Sequence, residues 1–251
     1  MYAQVDEKFY SPDNEWSELE FTNYEDIYFP VGEDTVHGIF IKPLADPKGT
    51  IVYFHGKQAN LSKWAKHVEP LINQGYQVGM MDYRGYGRST GISTYRNIAS
   101  DGQQFLDLLS ERDDVKDTPV VLYGASVGSH VASMLARENS ERIHGLVLES
   151  PVDLFTDTDT EPVNAPSGYA GQVSKYAVAP YSVKDNLSYL REDIPLLFIH
   201  SADDPMPIQA IEEMYETACC MKNFWFHEGE HIGAATRYPD MFIIYIDQIF
   251  K

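Results

Sequence analysis

The 251-residue chain predicts an α/β fold, a mostly parallel central sheet flanked by helices. Three observations predict it. Short apolar runs rich in β-branched and aromatic residues alternate with longer segments of helical period. Several of those runs are apolar throughout, as strands covered on both faces must be. A hydrophobic fraction of 43% with 13% aromatics supplies the core such a sheet needs and excludes a disordered chain.

The elements follow in order. Residues 18–44 read as strands: ELEFTNYEDIYF, a turn around Gly32, Glu33 and Asp34, then VHGIFIKPL. TIVYFH, from Thr50, is a continuous apolar run that stops at Gly56. Residues 61–73 have helical spacing, with Trp64, Val68, Leu71 and Ile72 on one side. YQVGMMDY is the next strand, and Gly85, Tyr86 and Gly87 form a loop. Residues 98–109 are helical, with Phe105, Leu106, Leu108 and Leu109 on the apolar face. PVVLYG is a strand and residues 127–138 a helix rich in small side chains. IHGLVLES and IPLLFIH are strands, a helix starts near Ile208, NFWFH is a strand, and a last helix starts near Tyr238. No repeat or composition break divides the chain, so residues 1–251 are expected to form a single domain. Residues 151–192 interrupt the rhythm: rich in Asp, Thr, Pro, Ser and Tyr, they are too long for an ordinary connection. A small lid over the crevice at the C-terminal edge of the sheet is the expectation there.

Charge and cysteines narrow the partners. A formal net charge of −19 repels nucleic acid and anionic membrane surfaces, so neither is an expected partner. Cys219 and Cys220 are adjacent and are expected as free thiols. No Cys/His spacing suits a metal, and neither a metal nor a cofactor is expected. The opening stretch MYAQVDEKFYSPDNEW lacks the apolar region of a secretory signal, and no segment is long enough to span a bilayer. The expected location is the cytoplasm.

The chemistry centres on GASVG at positions 124–128. A G-x-S-x-G string has little weight alone, but here a strand precedes it and a helix follows, the context that makes Ser126 a nucleophile on a strained turn. Gly124 and Gly128 remove side chains where strand and helix approach. The helix N-terminus behind Ser126 directs backbone N–H groups and partial positive charge at a developing anion. Serine needs a base, and the base an orienting acid. In a fold of this kind the order is Ser, acid, His. His231, in the turn EGEHIG, is the expected base, with His227 at the end of its strand in reserve. His144 and His200 read as core or strand-end residues. The acid is expected just past IPLLFIH, where Asp204 is favoured and Asp203 is the alternative; Glu149 would be a less usual placement. The oxyanion donors are the backbone N–H groups of Val127, after the nucleophile, and Lys57, where Gly56 lets the chain turn inward. His55 reads as a support of that loop.

With Ser126, the His-Gly loop, the acid and the histidine in this order, the chain resembles the α/β-hydrolase superfamily from residue 36 to the C-terminus. YFHGKQANLSKWAKHVEPLINQGYQVGMMDYRGYGRSTG is most similar to the small-esterase and serine-aminopeptidase-like branch, where HG and then DYRGYGRS precede the elbow. The resemblance implies an α/β-hydrolase fold in which Asp82, Tyr83, Arg84, Gly85 and Gly87 form a structural loop beside the active site. Two departures stand out: Ser201, where the family often has Gly, and Asp204-Pro205-Met206-Pro207, one residue shorter than the common form. The second keeps Asp203 and Asp204 both open. The HGGG-type loop of another lipase branch is absent.

Related dehalogenases and epoxide hydrolases carry Asp at the elbow, and dienelactone hydrolases Cys; serine favours acyl transfer to water. The expected function is a carboxylesterase-like serine hydrolase, cleaving a small-molecule carboxylic ester or thioester through an acyl-serine intermediate. Leu154, Phe155, Tyr169, Tyr176 and Tyr181 are candidates to line an acyl pocket under the lid. A peptidase or acyl-peptide hydrolase is the second reading, with Asp153, Asp157 and Glu161 to bind an amine. A catalytically silent binding protein on the same fold is the third.

Overall fold

The structure, a computed structural model, describes residues 10–153 and 182–251. Its strands in chain order are β1 (Ser11–Pro12), β2 (Tyr24–Val31), β3 (Asp34–Ile41), β4 (Thr50–Phe54), β5 (Gln58–Ala59), β6 (Gln77–Met81), β7 (Val120–Ala125), β8 (Gly145–Glu149), β9 (Leu196–Ser201) and β10 (Lys222–His227). The helices are α1 (Leu61–Trp64), α2 (Glu69–Gln74), α3 (Tyr95–Ser110), α4 (Gly128–Glu138), α5 (Val183–Ser188), α6 (Ile208–Thr217), α7 (Ala234–Arg237) and α8 (Pro239–Ile249). Eight strands form one sheet in the order β10-β9-β8-β7-β4-β6-β3-β2. From β10 to β6 every pair is parallel; β3 runs antiparallel to both of its neighbours. This is the α/β-hydrolase arrangement, and the alternation of strand and helix foretold it. The small β1 pairs with β5 outside the main sheet.

Period-two alternation divides the core into two layers. Val52, Phe54, Leu122, Leu148 and Phe198 face one side, under α3, α4, α5 and α6. Ile51, Tyr53, Val121, Tyr123 and Ile199 face the other, under α1, α2, α7 and α8. The central strands β4, β7, β8 and β9 are buried end to end. Each fully buried Leu, Ile or Phe contributes about 1.5–3 kcal/mol relative to exposure, so these two layers hold the sheet rigid. Chain order runs outward from β4 on both sides, β6 to one and β7 to the other. The crevice at that switch point, beyond the strand C-termini, is where open α/β sheets bind ligands.

Several expectations need correction. Residues 18–23 are not strand; pairing begins at Tyr24. The helix expected over residues 61–73 is broken into α1, a short 3-10 turn at Ala65–His67, and α2. Pro70 in the first turn of α2 explains the break, since its missing N–H and ring forbid a continuous helix through it. Helix α3 starts earlier than expected because Thr94 and Asn97 form a capping box. Leu108, expected on its apolar face, lies at the exposed edge. His144, just before β8, and His200, buried within β9, are the strand-end and core residues they were expected to be. An additional short helix, α7, precedes the last one.

Within the expected lid, residues 182–192 are not cover but body: α5 inserts Val183 and Leu187 into the core beside α4 and α6. Residues 154–181, with Leu154, Phe155, Asp157, Glu161, Tyr169, Tyr176 and Tyr181, lie outside the described residues. Among the described residues, no helix is long and apolar enough to cross a membrane.

Candidate active site

The elbow is built as its glycines require. Ser126 follows β7 with φ of 51°, a left-handed conformation that a non-glycine residue adopts only at a cost. A Cβ at Gly124 would lie 2.6 Å from Ser129 Cα, and one at Gly128 only 2.0 Å from Phe54 O. Neither position has room for a side chain, and that closeness seats α4 directly on the ends of β7 and β4. The Ser126 N–H donates to Glu149 O at 2.9 Å, and Ser129 donates to Ser126 O through both its N–H and its hydroxyl. The turn is therefore fixed on both sides of the nucleophile.

Asp204 and His231, expected as acid and base, lie in the loops after β9 and β10. Asp204 Oδ2 is 2.7 Å from His231 Nδ1, and Asp204 Oδ1 accepts from Met206 N–H at 2.8 Å. Burial acts to raise the Asp204 carboxyl, but the hydrogen bond and charge of His231 outweigh it and hold it below the ordinary carboxylate value. Of the two acids left open by the sequence, Asp204 meets the histidine; Asp203 is exposed at the turn. The His231 side chain stays about one-third exposed (32%) while the Asp204 side chain is fully buried (0%), so the imidazole reaches outward from a dry anchor. His200 approaches the same carboxylate at 3.7 Å, and burial pushes its imidazole below its ordinary value. His227 is buried, with Nδ1 at Glu228 O rather than at a carboxylate.

The loop after β4 lies against the elbow. A Cβ at Gly56 would stand in ordinary contact with Ser126 Cβ at 3.5 Å but only 2.8 Å from the Trp64 ring, so it is the Trp64 ring that leaves no room for a side chain beside Ser126. All three carbonyls of His55, Gly56 and Lys57 are held. Tyr83 Oη donates to His55 O at 2.8 Å, His55 Nδ1 lies 2.7 Å from Gly56 O, and Tyr86 Oη donates to Lys57 O. Ser11 N–H from β1 also donates to Lys57 O, at 3.1 Å. With the Gly56 carbonyl turned toward the His55 ring, the Lys57 N–H of the same trans peptide points away from that ring.

The loop of Asp82, Tyr83, Arg84, Gly85 and Gly87 is the scaffold of this arrangement. Arg84 makes a two-pronged pair with the buried Asp101, at 2.7 and 2.9 Å. Asp82 accepts the Leu61 N–H at 2.7 Å, and a Cβ at Gly87, where φ is 50°, would sit 2.0 Å from its other oxygen.

Glu149, at the end of β8, is not bound to His231. Its oxygens accept from Tyr123 Oη at 2.6 Å and Ala234 N–H at 3.1 Å. Burial pushes its carboxyl up, beyond what these donors and the nearby His227 and His231 offset. Neither contact was legible from spacing, because the partners lie 26 and 85 residues away. Among the described residues, no group of three or more His, Cys, Asp or Glu is placed to hold a metal ion.

Comparison with known proteins identifies the family and the fold. The family model described as serine aminopeptidase, S33, matches residues 45–188, from the strand before the His-Gly loop through the elbow and β8. The uncharacterized protein YfhR of Escherichia coli (strain K12) is 30% identical over 246 residues, covering 94% of this chain and 81% of that protein. The lysophosphatidylserine lipase ABHD12 of Macaca fascicularis is 28% identical over 197 residues, 72% of this chain and 48% of that one. Among solved structures, the esterase Pf2001 of Pyrococcus furiosus shares the fold with a TM-score of 0.72 at 19% identity, covering 96% of each chain. A strand, a glycine-flanked serine turn and a helix, inside a stretch that the family model spans, admit one assignment: the chain belongs to the α/β-hydrolase superfamily, in the serine aminopeptidase S33 family.

Proposed function

We propose that the protein is a serine hydrolase that cleaves a carboxylic ester or thioester of a small molecule through an acyl-serine intermediate. The observation that carries the reading is the 2.7 Å contact between buried Asp204 and the partly exposed His231, in a family whose serine turn is present at Ser126. Asp204 on Nδ1 leaves Nε2 as the nitrogen that takes the Ser126 proton. Ser126 Oγ then attacks the acyl carbon, and the oxyanion rests on the N–H groups of Lys57 and Val127. Each such donor is worth about 10²–10³ in rate. His231 returns its proton to the leaving alkoxide or thiolate. A water deprotonated by the same imidazole attacks the acyl-serine, releases the acid and restores the hydroxyl.

The ester reading draws on the esterases and the lipase among similar proteins. The peptidase reading draws on the family's description as an aminopeptidase. Asp153, the one described acid of the three expected to bind an amine, accepts from Ser182 Oγ, Val183 N–H and Lys184 N–H, so its carboxyl serves the start of α5. The unpaired Cys219 and Cys220 fit a reducing compartment, so we place the protein in the cytoplasm.

The test is labelling with a fluorophosphonate probe, wild type against Ser126→Ala. Labelling is expected to vanish in the variant; labelling that persists unchanged overturns Ser126 as nucleophile. Turnover of p-nitrophenyl acetate against aminoacyl-anilides then separates esterase from peptidase, and faster cleavage of the anilides would refute the ester assignment.

A further inference from the structure

A second buried carboxyl next to a catalytic pair calls for a reason. Glu149 is 1% exposed and sits in the core at the end of β8, where an apolar side chain of similar size would pack without desolvation cost. A duplicate triad acid is not the reason, because His231 Nδ1 is taken by Asp204 and both Glu149 oxygens are taken elsewhere.

Its connections point to another role. The backbone carbonyl of Glu149 accepts the Ser126 N–H at 2.9 Å, and β7 and β8 are in register at Ala125 and Glu149. Its side-chain Oε1 accepts the Ala234 N–H, the first residue of α7 and three residues past His231. Between them the chain passes through Ile232, whose φ of 55° is a strained conformation for a β-branched residue. A turn held in such a conformation persists only where its surroundings determine it. Oε2 is anchored by Tyr123 Oη, and the Tyr123 ring stacks on Tyr53 with centroids 4.8 Å apart.

We propose that Glu149 is a positioning residue: one side chain and one carbonyl tie the nucleophile turn and the histidine turn to the same point of the sheet, and so set the reach of His231 to Ser126. This rests on the triad reading above. Catalysis depends steeply on that reach, since a displacement of about 1 Å can cost on the order of 10²-fold in rate.

The test compares Glu149→Gln with Glu149→Met and Glu149→Ala, with kcat expressed per site titrated by the fluorophosphonate probe. Gln keeps an oxygen for the Ala234 N–H and an amide facing Tyr123; Met and Ala keep neither. Met and Ala are expected to lower kcat about 10- to 100-fold with KM within about threefold of wild type, and Gln to restore kcat to within about threefold. A lower melting temperature with unchanged kcat per titrated site would show a merely structural role and overturn the proposal. So would a loss of about 10⁴-fold in Glu149→Gln, the signature of a triad acid. Should neither Met nor Ala fold, Tyr123→Phe decides: loss of the Oε2 anchor is expected to lower kcat several-fold, and an unchanged kcat overturns the proposal. A wild type that is not labelled at Ser126 refutes the hydrolase reading and this proposal with it. A labelled, active wild type with unaffected Glu149 variants refutes this proposal alone.

Discussion

Replacing Asp204 with Asn tests the triad at its acid. The carboxylate has two engaged oxygens, Oδ2 at His231 Nδ1 and Oδ1 at the Met206 N–H. An amide serves only one of them. If its oxygen stays with Met206, its NH₂ faces His231 and selects the tautomer protonated on Nε2, which accepts no proton from Ser126. If it flips, NH₂ confronts the Met206 N–H, two donors in a buried site. The charge lost is close: two unit charges 2.7 Å apart, the separation seen here, interact by about 6 kcal/mol at an effective dielectric of 20. Loss of the correct tautomer alone costs about 10⁴ in kcat, about 5 kcal/mol of transition-state stabilisation. Asp204→Asn is therefore expected to lower kcat about 10⁴-fold with KM little changed, while Asp203→Asn, at an exposed position, stays within about threefold. The assay is steady-state hydrolysis of p-nitrophenyl acetate at pH 7 to 8 by protein whose fold is verified by circular dichroism. Equal small losses in the two variants would refute the assignment of Asp204.

Three further outcomes are expected. Gly128→Ala drives a methyl group against Phe54 O, a backbone atom that cannot turn aside; urea unfolding should show a loss of about 3 kcal/mol, and activity should fall with it. Tyr86→Phe removes the hydroxyl between Lys57 O and Ser11 N–H, and kcat is expected to fall about tenfold with a stability loss of about 1 kcal/mol; an unchanged kcat would release Lys57 from the oxyanion role. Burial raises Asp153 to about 6, above its ordinary 3.8, so the folded state holds that proton more tightly than the unfolded chain. Its contribution to stability is full well below pH 4 and lost as pH rises through 6; the advantage of wild type over Asp153→Asn, from urea unfolding, should shrink by about 2 kcal/mol between pH 4 and 7.

How much of this was legible before the fold was known differs from residue to residue. The turn at Ser126 was, because the elbow is local: strand, turn and helix occupy adjacent residues and the two glycines stand where the structure has no room for a Cβ. The meeting of His231 with an acid after β9 was legible from chain order. Asp204 was favoured over Asp203 but both stayed open, since neighbouring residues in a turn point to different sides and only the path of the loop decides which enters the core. Pro70 was present in the sequence, yet the apolar spacing around it suggested one continuous helix; a single missing N–H outweighed a periodic pattern. Glu149 was visible only as a polar strand end. Its meaning lies in partners on other strands and loops, which no periodicity encodes.

Backbone strain marks the same region independently of any motif. Among the described residues, four that are not glycine have positive φ: Ala59, Ser126, Ser150 and Ile232. Ala59 ends the loop that carries Lys57, Ser126 stands on the elbow, Ser150 follows Glu149 and borders the sheet end, and Ile232 follows His231. Each such conformation costs about 1–3 kcal/mol and persists only where the surroundings over-determine it. The surroundings here are the buried ends of β4, β7, β8 and β9, covered on both faces, with the hydrogen bonds of Ser126 to Glu149 and of Ser150 to Ile199 closing the rim. A scaffold built only for stability would place glycine at these four positions. Ser126 and Ser150 follow the ends of β7 and β8, Ile232 lies in the turn after β10, and Ala59 ends β5 of the small second sheet; strain kept at such positions is strain a preorganised site would use.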